Sequence, residues 1–154
     1  MKKKIPEMLN VLTIMTIGWS SMILISSIIN SFVLSGKTDE IREVILKAKE
    51  EPEVTEKPII DWVLGLADNV LENAEILNLN TILVCVLSIS AALLMRKLMK
   101  LGFWIYVAAV IIEIGIPFLI LEDPMTAGLV VSGSVFSILF IILYSVNYKQ
   151  LLNN

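Results

Sequence analysis

Apolar positions in this chain do not alternate with polar ones; they gather into four long runs. Residues 9–34 carry no charge, 76–95 carry none, 102–121 contain a single acid, and 128–148 again contain none. The first run holds 26 residues, which as a helix at about 1.5 Å per residue would exceed a hydrocarbon layer of about 30 Å. Inside a bilayer every backbone amide must pair within the protein, so runs of this length are helices unless they close a barrel. The in-out alternation of barrel strands is missing here. The pattern therefore predicts an all-α fold: a single membrane domain over 1–154, built as an integral membrane four-helix bundle, with a helical loop over 35–75 between spans one and two.

Composition moves in the same direction. The chain is 56% hydrophobic and 18% charged, against about 45–50% and about 25% in soluble domains. Histidine is absent and cysteine occurs once, which removes the commonest general base, the commonest metal ligand and any disulfide within the chain. No glycine-rich phosphate loop, His-Glu-x-x-His, paired cysteines or basic stripe with aromatics is present. The expectation is a non-enzymatic protein with no catalytic residue, cofactor or metal, and with neither nucleotide nor nucleic acid as partner.

Lys and Arg counts near the span ends give a direction. Lys2, Lys3, Lys4, Arg96, Lys97, Lys100 and Lys149 fall on one side with one acid, Glu7. The other side holds 36–75, with five basic and eleven acidic residues, and the turn Glu122-Asp123-Pro124. Both termini are expected in the cytoplasm and the acidic loop outside. The opening run is too long for the apolar core of a signal peptide and lacks an Ala-x-Ala-like site, so it reads as a retained anchor. Phe103, Trp104, Tyr106, Tyr144 and Tyr148 fit an aromatic belt on the cytoplasmic side, whereas Trp19 lies inside its span and does not.

Helices in lipid associate through small residues and hydrogen bonds. Each span offers such a stripe: Thr13, Thr16, Ser20, Ser27 and Ser31; then Asn78, Thr81, Cys85, Ser88 and Ala92; then Gly102, Tyr106, Ala109 and Glu113; and finally Gly128-x-x-x-Ser132 with Gly133-x-x-x-Ser137. Packing is the base expectation for these stripes, and a polar pore along their shared axis is the alternative.

Glu113 is the candidate intramembrane polar site, together with Pro117. It lies about 16 Å along its helix from Gly102, near mid-depth. An ionised carboxylate there costs about 2.5–3.5 kcal/mol on insertion scales, so it should face the interior, be paired or carry a proton. Pro117 lacks the amide that would bond the Glu113 carbonyl, so Glu-Ile-Gly-Ile-Pro reads as a kinked, polar interruption. The functional alternatives are a proton or cation step and a docking point for a cationic partner residue; the structural one is a neutral acid knitting the bundle.

Two helices are expected in the loop, on either side of a break near 51–58. Thr38 caps the first, and Glu43 with Lys47 forms an i, i+4 pair. The second starts near Ile59 and places Ile59, Trp62, Val63, Leu66 and Val70 opposite Asp61, Asp68, Glu72 and Glu75. Its polar face lacks Lys and Arg, so its apolar face should meet protein rather than anionic lipid. Trp62, Leu66, Asp61, Asp68 and Glu72 are the candidate partner surface.

The stretch Met95-Arg96-Lys97-Leu98-Met99-Lys100-Leu101-Gly102-Phe103-Trp104-Ile105-Tyr106 resembles the middle of small four-span bacterial inner-membrane proteins to which no activity is attached. The resemblance implies a multi-pass protein of the bacterial inner membrane and carries over no site residues. The functional expectation is a structural or accessory subunit that meets the lipid bilayer and assembles as a homo-oligomer or in a larger membrane complex. The alternative is a small protein that translocates protons or cations with Glu113.

Overall fold

A computed structural model of the chain describes residues 5–50 and 58–151; the side chains at 34–39, 42, 49, 50, 58, 61 and 150 lie outside that description. The fold is all-α. Helix α1 is Glu7–Glu50, α2 Pro58–Glu72, α3 Ala74–Arg96, α4 Lys100–Ile120, α5 Pro124–Val130 and α6 Val135–Asn147. A 3-10 turn, Val131–Ser134, joins α5 to α6, and another, Tyr148–Gln150, follows α6. Four segments are long and apolar enough to cross a membrane: Glu7–Val33, Ala74–Arg96, Lys100–Ile120 and Pro124–Asn147.

The first helix departs from expectation. It runs for 44 residues without a break, about 66 Å, so no capped start occurs at Thr38. Between 34 and 40 the chain contains no proline and one glycine, which costs a helix only about 1 kcal/mol. The Glu43–Lys47 pair forms on this extension at 2.7 Å. Helix α2 begins where a proline suits the first helical turn and ends one residue before α3, at Asn73, whose side-chain amide donates to the Asn69 carbonyl at 3.0 Å. The apolar face of α2 is only partly covered: Ile59, Trp62 and Val63 stay exposed, while Leu66 and Val70 are half-buried. The helix touches α1, α3 and α5.

The tightest pairing is between α3 and α4, followed by α1 with α3. Helix α3 ends in a Schellman arrangement: Met99 N–H donates to Leu94 O and Leu98 N–H to Met95 O. The left-handed residue this motif needs is Leu98, with φ 60. A side chain there costs about 1–2 kcal/mol, and burial of Leu98 among Met95, Phe103 and Tyr144 offsets it. Two residues later α4 starts, close enough that a β-carbon on Gly102 would sit 2.6 Å from Ala91 O and 2.8 Å from Met95 N. Ala91, Ala92 and Ala109 are all fully buried. The termini end of the bundle is filled by Leu9, Leu12, Met95, Leu98, Phe103, Tyr106, Tyr144 and Leu151.

The fourth segment packs most loosely, with 11% of its window buried against 28–33% in the others. Its expected small-residue stripe does not form. Gly133 and Ser132 are exposed, and nothing lies within 4 Å of a β-carbon placed on Gly128 or Gly133. The 3-10 turn explains this: four residues advancing about 120° each instead of about 100° shift the face by about 80°. The belt assignment also changes. Tyr106 and Tyr144 are buried and stack edge to face at 5.3 Å, and Phe103 is buried with them, leaving Trp104 exposed. A buried tyrosine needs a hydrogen-bond partner, and Tyr144 has one in the Thr16 hydroxyl at 2.7 Å.

The start of α5 is capped by Asp123, whose carboxylate accepts from Thr126 N–H at 2.8 Å and from the Thr126 hydroxyl at 2.7 Å. These bonds hold its carboxyl below the usual value of 3.8. The cap therefore contributes stability above that ordinary value and loses it as pH falls through the depressed one. Amide protection factors at Thr126 and Ala127 should stay constant near neutrality and drop in acid, and Asp123→Asn should remove that drop. Gly102→Ala should lower the unfolding free energy in detergent by about 1–3 kcal/mol through overpacking. Gly18→Ala, with open space around it, should not lower it; equal behaviour of the two variants in a denaturation series would contradict the close approach.

Candidate functional site

Between α1, α3, α4 and α6 lies a cavity of about 230 Å³, well beyond the roughly 30 Å³ that a water molecule takes up in the liquid. Each helix contributes polar groups at mid-height: Thr16 and Ser20 from α1, Asn80, Thr81 and Ser88 from α3, Glu113 from α4, and Ser137 from α6, with Ser134 from the 3-10 turn. Cys85 is also in the wall, buried.

The hydroxyls are mostly engaged. Thr16 donates to Leu12 O at 3.0 Å and pairs with Tyr144; Thr81 donates to Leu77 O at 3.0 Å. Ser134 is buried and donates to Glu113 Oε1 at 2.9 Å. Glu113 itself is half-buried. Glu113 thus faces inward and is held across the bundle by a neutral donor, while Lys and Arg are missing from the wall. Pro117 is buried one turn further along, also in the wall, and α4 continues through it to Ile120. The helix is uninterrupted, although Pro117 still has no amide to offer the Glu113 carbonyl.

Asn80 is the exception to this pairing. It is 8% exposed, it lines the cavity, and its Oδ1 has no hydrogen-bond partner among the described residues. A buried amide oxygen left unpaired costs about 1–3 kcal/mol. The sequence pattern favoured Asn78 for the shared face, and Asn78 does bridge helices, donating to Ser27 O at 3.1 Å and Ser31 Oγ at 2.6 Å. Those bonds lie further from the termini end than the cavity. The signal for Asn80 was its i, i+4, i+8 register with Val84 and Ser88, both buried.

The wall between α1 and α6 is aromatic and open. Trp19, Phe136 and Phe140 border the polar cavity and also an apolar groove of about 330 Å³ completed by Met15. Trp19 and Phe136 are both largely exposed. The position of Trp19 inside its span, at odds with a belt, is thereby accounted for: it flanks a lateral mouth.

Elsewhere, the candidate partner surface is scattered along α2. Trp62 is exposed, Leu66 and Asp68 are half-buried and Glu72 is exposed, whereas the Asp61 side chain lies outside the described residues. None of them lines the cavity. Among the described residues no group of three His, Cys, Asp or Glu side chains is placed to hold a metal ion. Comparison with protein-family models, curated proteins and solved structures finds no match for this chain.

If the Ser134–Glu113 bond ties α4 to the fourth segment, Ser134→Ala and Glu113→Gln should not be additive. A double-mutant cycle on unfolding should give a coupling of about 0.5–1.7 kcal/mol, the range for hydrogen bonds between membrane helices. Additive losses would mean that the bond contributes nothing.

Proposed function

We propose that this chain is a non-enzymatic, multi-pass membrane protein with an accessory or structural role, one that binds within the plane of the membrane rather than passing solutes across it. The observation that carries this reading is where the polar cavity stops. Toward the chain termini it ends at the packed cluster of Leu9, Leu12, Met95, Phe103, Tyr106 and Tyr144, and its open side lies between α1 and α6. Polar groups facing a lateral gap in a bilayer favour an occupant that satisfies them. The exposed apolar turns of α2 suit assembly with a second copy or a larger complex in the same membrane, with Trp62, Leu66, Asp61, Asp68 and Glu72 on the surface offered.

The basic residues place both termini in the cytoplasm and α2 outside under this reading, and the resemblance of 95–106 favours a bacterial inner membrane. Translocation of protons or cations by Glu113 is the second reading. The polar wall at mid-depth favours it, and it requires the Tyr106–Tyr144 seal to open.

Three measurements on one reconstituted preparation separate these readings. In a Cys85→Ser background, a cysteine at Glu40 should react with an impermeant maleimide added outside, and one at Lys149 should not. Proteoliposomes under a pH or cation gradient should show no flux above protein-free vesicles; flux lost in Glu113→Gln would establish the translocation reading instead. Purification in mild detergent should yield an oligomer or a stoichiometric complex that Trp62→Ser with Leu66→Ser disrupts, and a lone monomer indifferent to those changes would remove the accessory role.

A further inference from the structure

We propose that the cavity is a binding site for a single-chain amphiphile with a hydrogen-bond-donating head, best met by a long-chain primary amine, which enters laterally between α1 and α6. The inference rests on the binding role argued above and names the class of occupant.

Three observations converge on it. The first is the unpaired Asn80 Oδ1, on a side chain more than nine-tenths buried in the cavity wall. An acceptor in that position is satisfied only by a donor brought from outside the described side chains. The second is Glu113, the single acidic residue in the wall, with one carboxyl oxygen taken by Ser134 and no cationic side chain opposite. Two acceptors, one of them able to carry negative charge, match an ammonium, which has three donors and no acceptor. They match a carboxylate head poorly, since it would place acceptor against acceptor and charge beside charge.

The third is the continuity of chemistry through the mouth. The groove formed by Met15, Trp19, Phe136 and Phe140 is apolar and shares three of its four residues with the cavity. A molecule whose head reaches Asn80 and Glu113 can thus lay its chain along side chains of its own polarity. Water alone could fill the polar end, but it has no use for the groove. A cation without a chain would likewise leave the groove empty and would have to shed its hydration to arrive from the lipid side.

The test uses Trp19 as the reporter. The chain has three tryptophans, so Trp62→Phe with Trp104→Phe leaves Trp19 alone at the mouth. The protein in lipid nanodiscs is titrated with three chains brominated near their tails and differing only in the head: undecylamine, undecanol and undecanoic acid. The amine should quench Trp19 saturably and most tightly, the alcohol more weakly, and the acid without saturation. Glu113→Gln and Asn80→Ala should each weaken the amine by about tenfold, the loss of one hydrogen bond to a charged group, and leave the acid unchanged.

Equal, unsaturable quenching by all three heads would mean partition into lipid with only water in the cavity, and would overturn the proposal. The head-group comparison stands on the parental side chains, so it decides the matter even if a variant fails to fold. Failure here with no ion flux sinks the amphiphile alone; flux together with saturable amine quenching sinks the accessory reading and leaves this one standing.

Discussion

The arrangement of the bundle follows from one steric constraint, the contact of α4 with the backbone of α3 at Gly102. With Ala91 O only 2.6 Å from where a β-carbon would sit, the two helices meet closer than side chains ordinarily permit, and fully buried alanines extend that seam. Lipid offers helices little incentive to associate, so close packing of small residues has to supply it. The turn between them tolerates Leu98 in a left-handed conformation because the same side chain enters the core it helps to close. Helices α3 and α4 are thereby one rigid unit, and this unit carries Asn80, Ser88 and Glu113 on its inner face.

What is rigid on one side makes room on the other. Helix α1 joins the unit along α3, through buried Thr13, Thr16, Ser20 and Ser27. The fourth segment has no comparable seam, because its glycines stand in open space. It is tied by two polar contacts, Ser134 to Glu113 near one end and Tyr144 to Thr16 near the other. Between those ties the cavity opens and large aromatic side chains, rather than small ones, form its edge. A span held at two points by hydrogen bonds is also the one with the least burial to lose on moving.

The spans were legible because charge marks their ends: runs at 76–95 and 102–121 correspond to Ala74–Arg96 and Lys100–Ile120 within two residues. The polar stripe of α1 was legible too, since 3.6-residue periodicity holds along a regular helix. The stripe of the fourth span was not, because a 3-10 turn changes the phase and no residue type announces it. The αL turn at Leu98 carries no glycine to signal it. The unbroken course of α1 past Gly36 was hidden by a Thr-Asp-Glu sequence that suits a helix start as well as a helix interior. Glu113 drew attention as a charge in an apolar run. Asn80 did not, because Asn78 competed with it two positions away on a different face, and only the observed rotation of α3 decides which of the two looks inward.

That rotation bears on what a solitary carboxyl can do. A proton relay needs a succession of titratable groups within hydrogen-bond reach, and toward the termini the next polar groups past Glu113 are tyrosine hydroxyls embedded in the apolar cluster. Tyr144 is fully buried and committed to Thr16, and Thr16 in turn is committed to the Leu12 carbonyl. A chain of this kind is satisfied locally and has no open acceptor to hand a proton onward. Asn80, by contrast, cannot titrate and has an acceptor to spare. An amide of this sort contributes nothing to moving protons but discriminates between donors and acceptors, and a carboxyl beside it adds selectivity for charge. The pairing of a non-titrating acceptor with a single acid, at the head of an apolar groove, is the combination expected where a site must recognise what it holds, and it makes recognition the function for which the unpaired amide is retained.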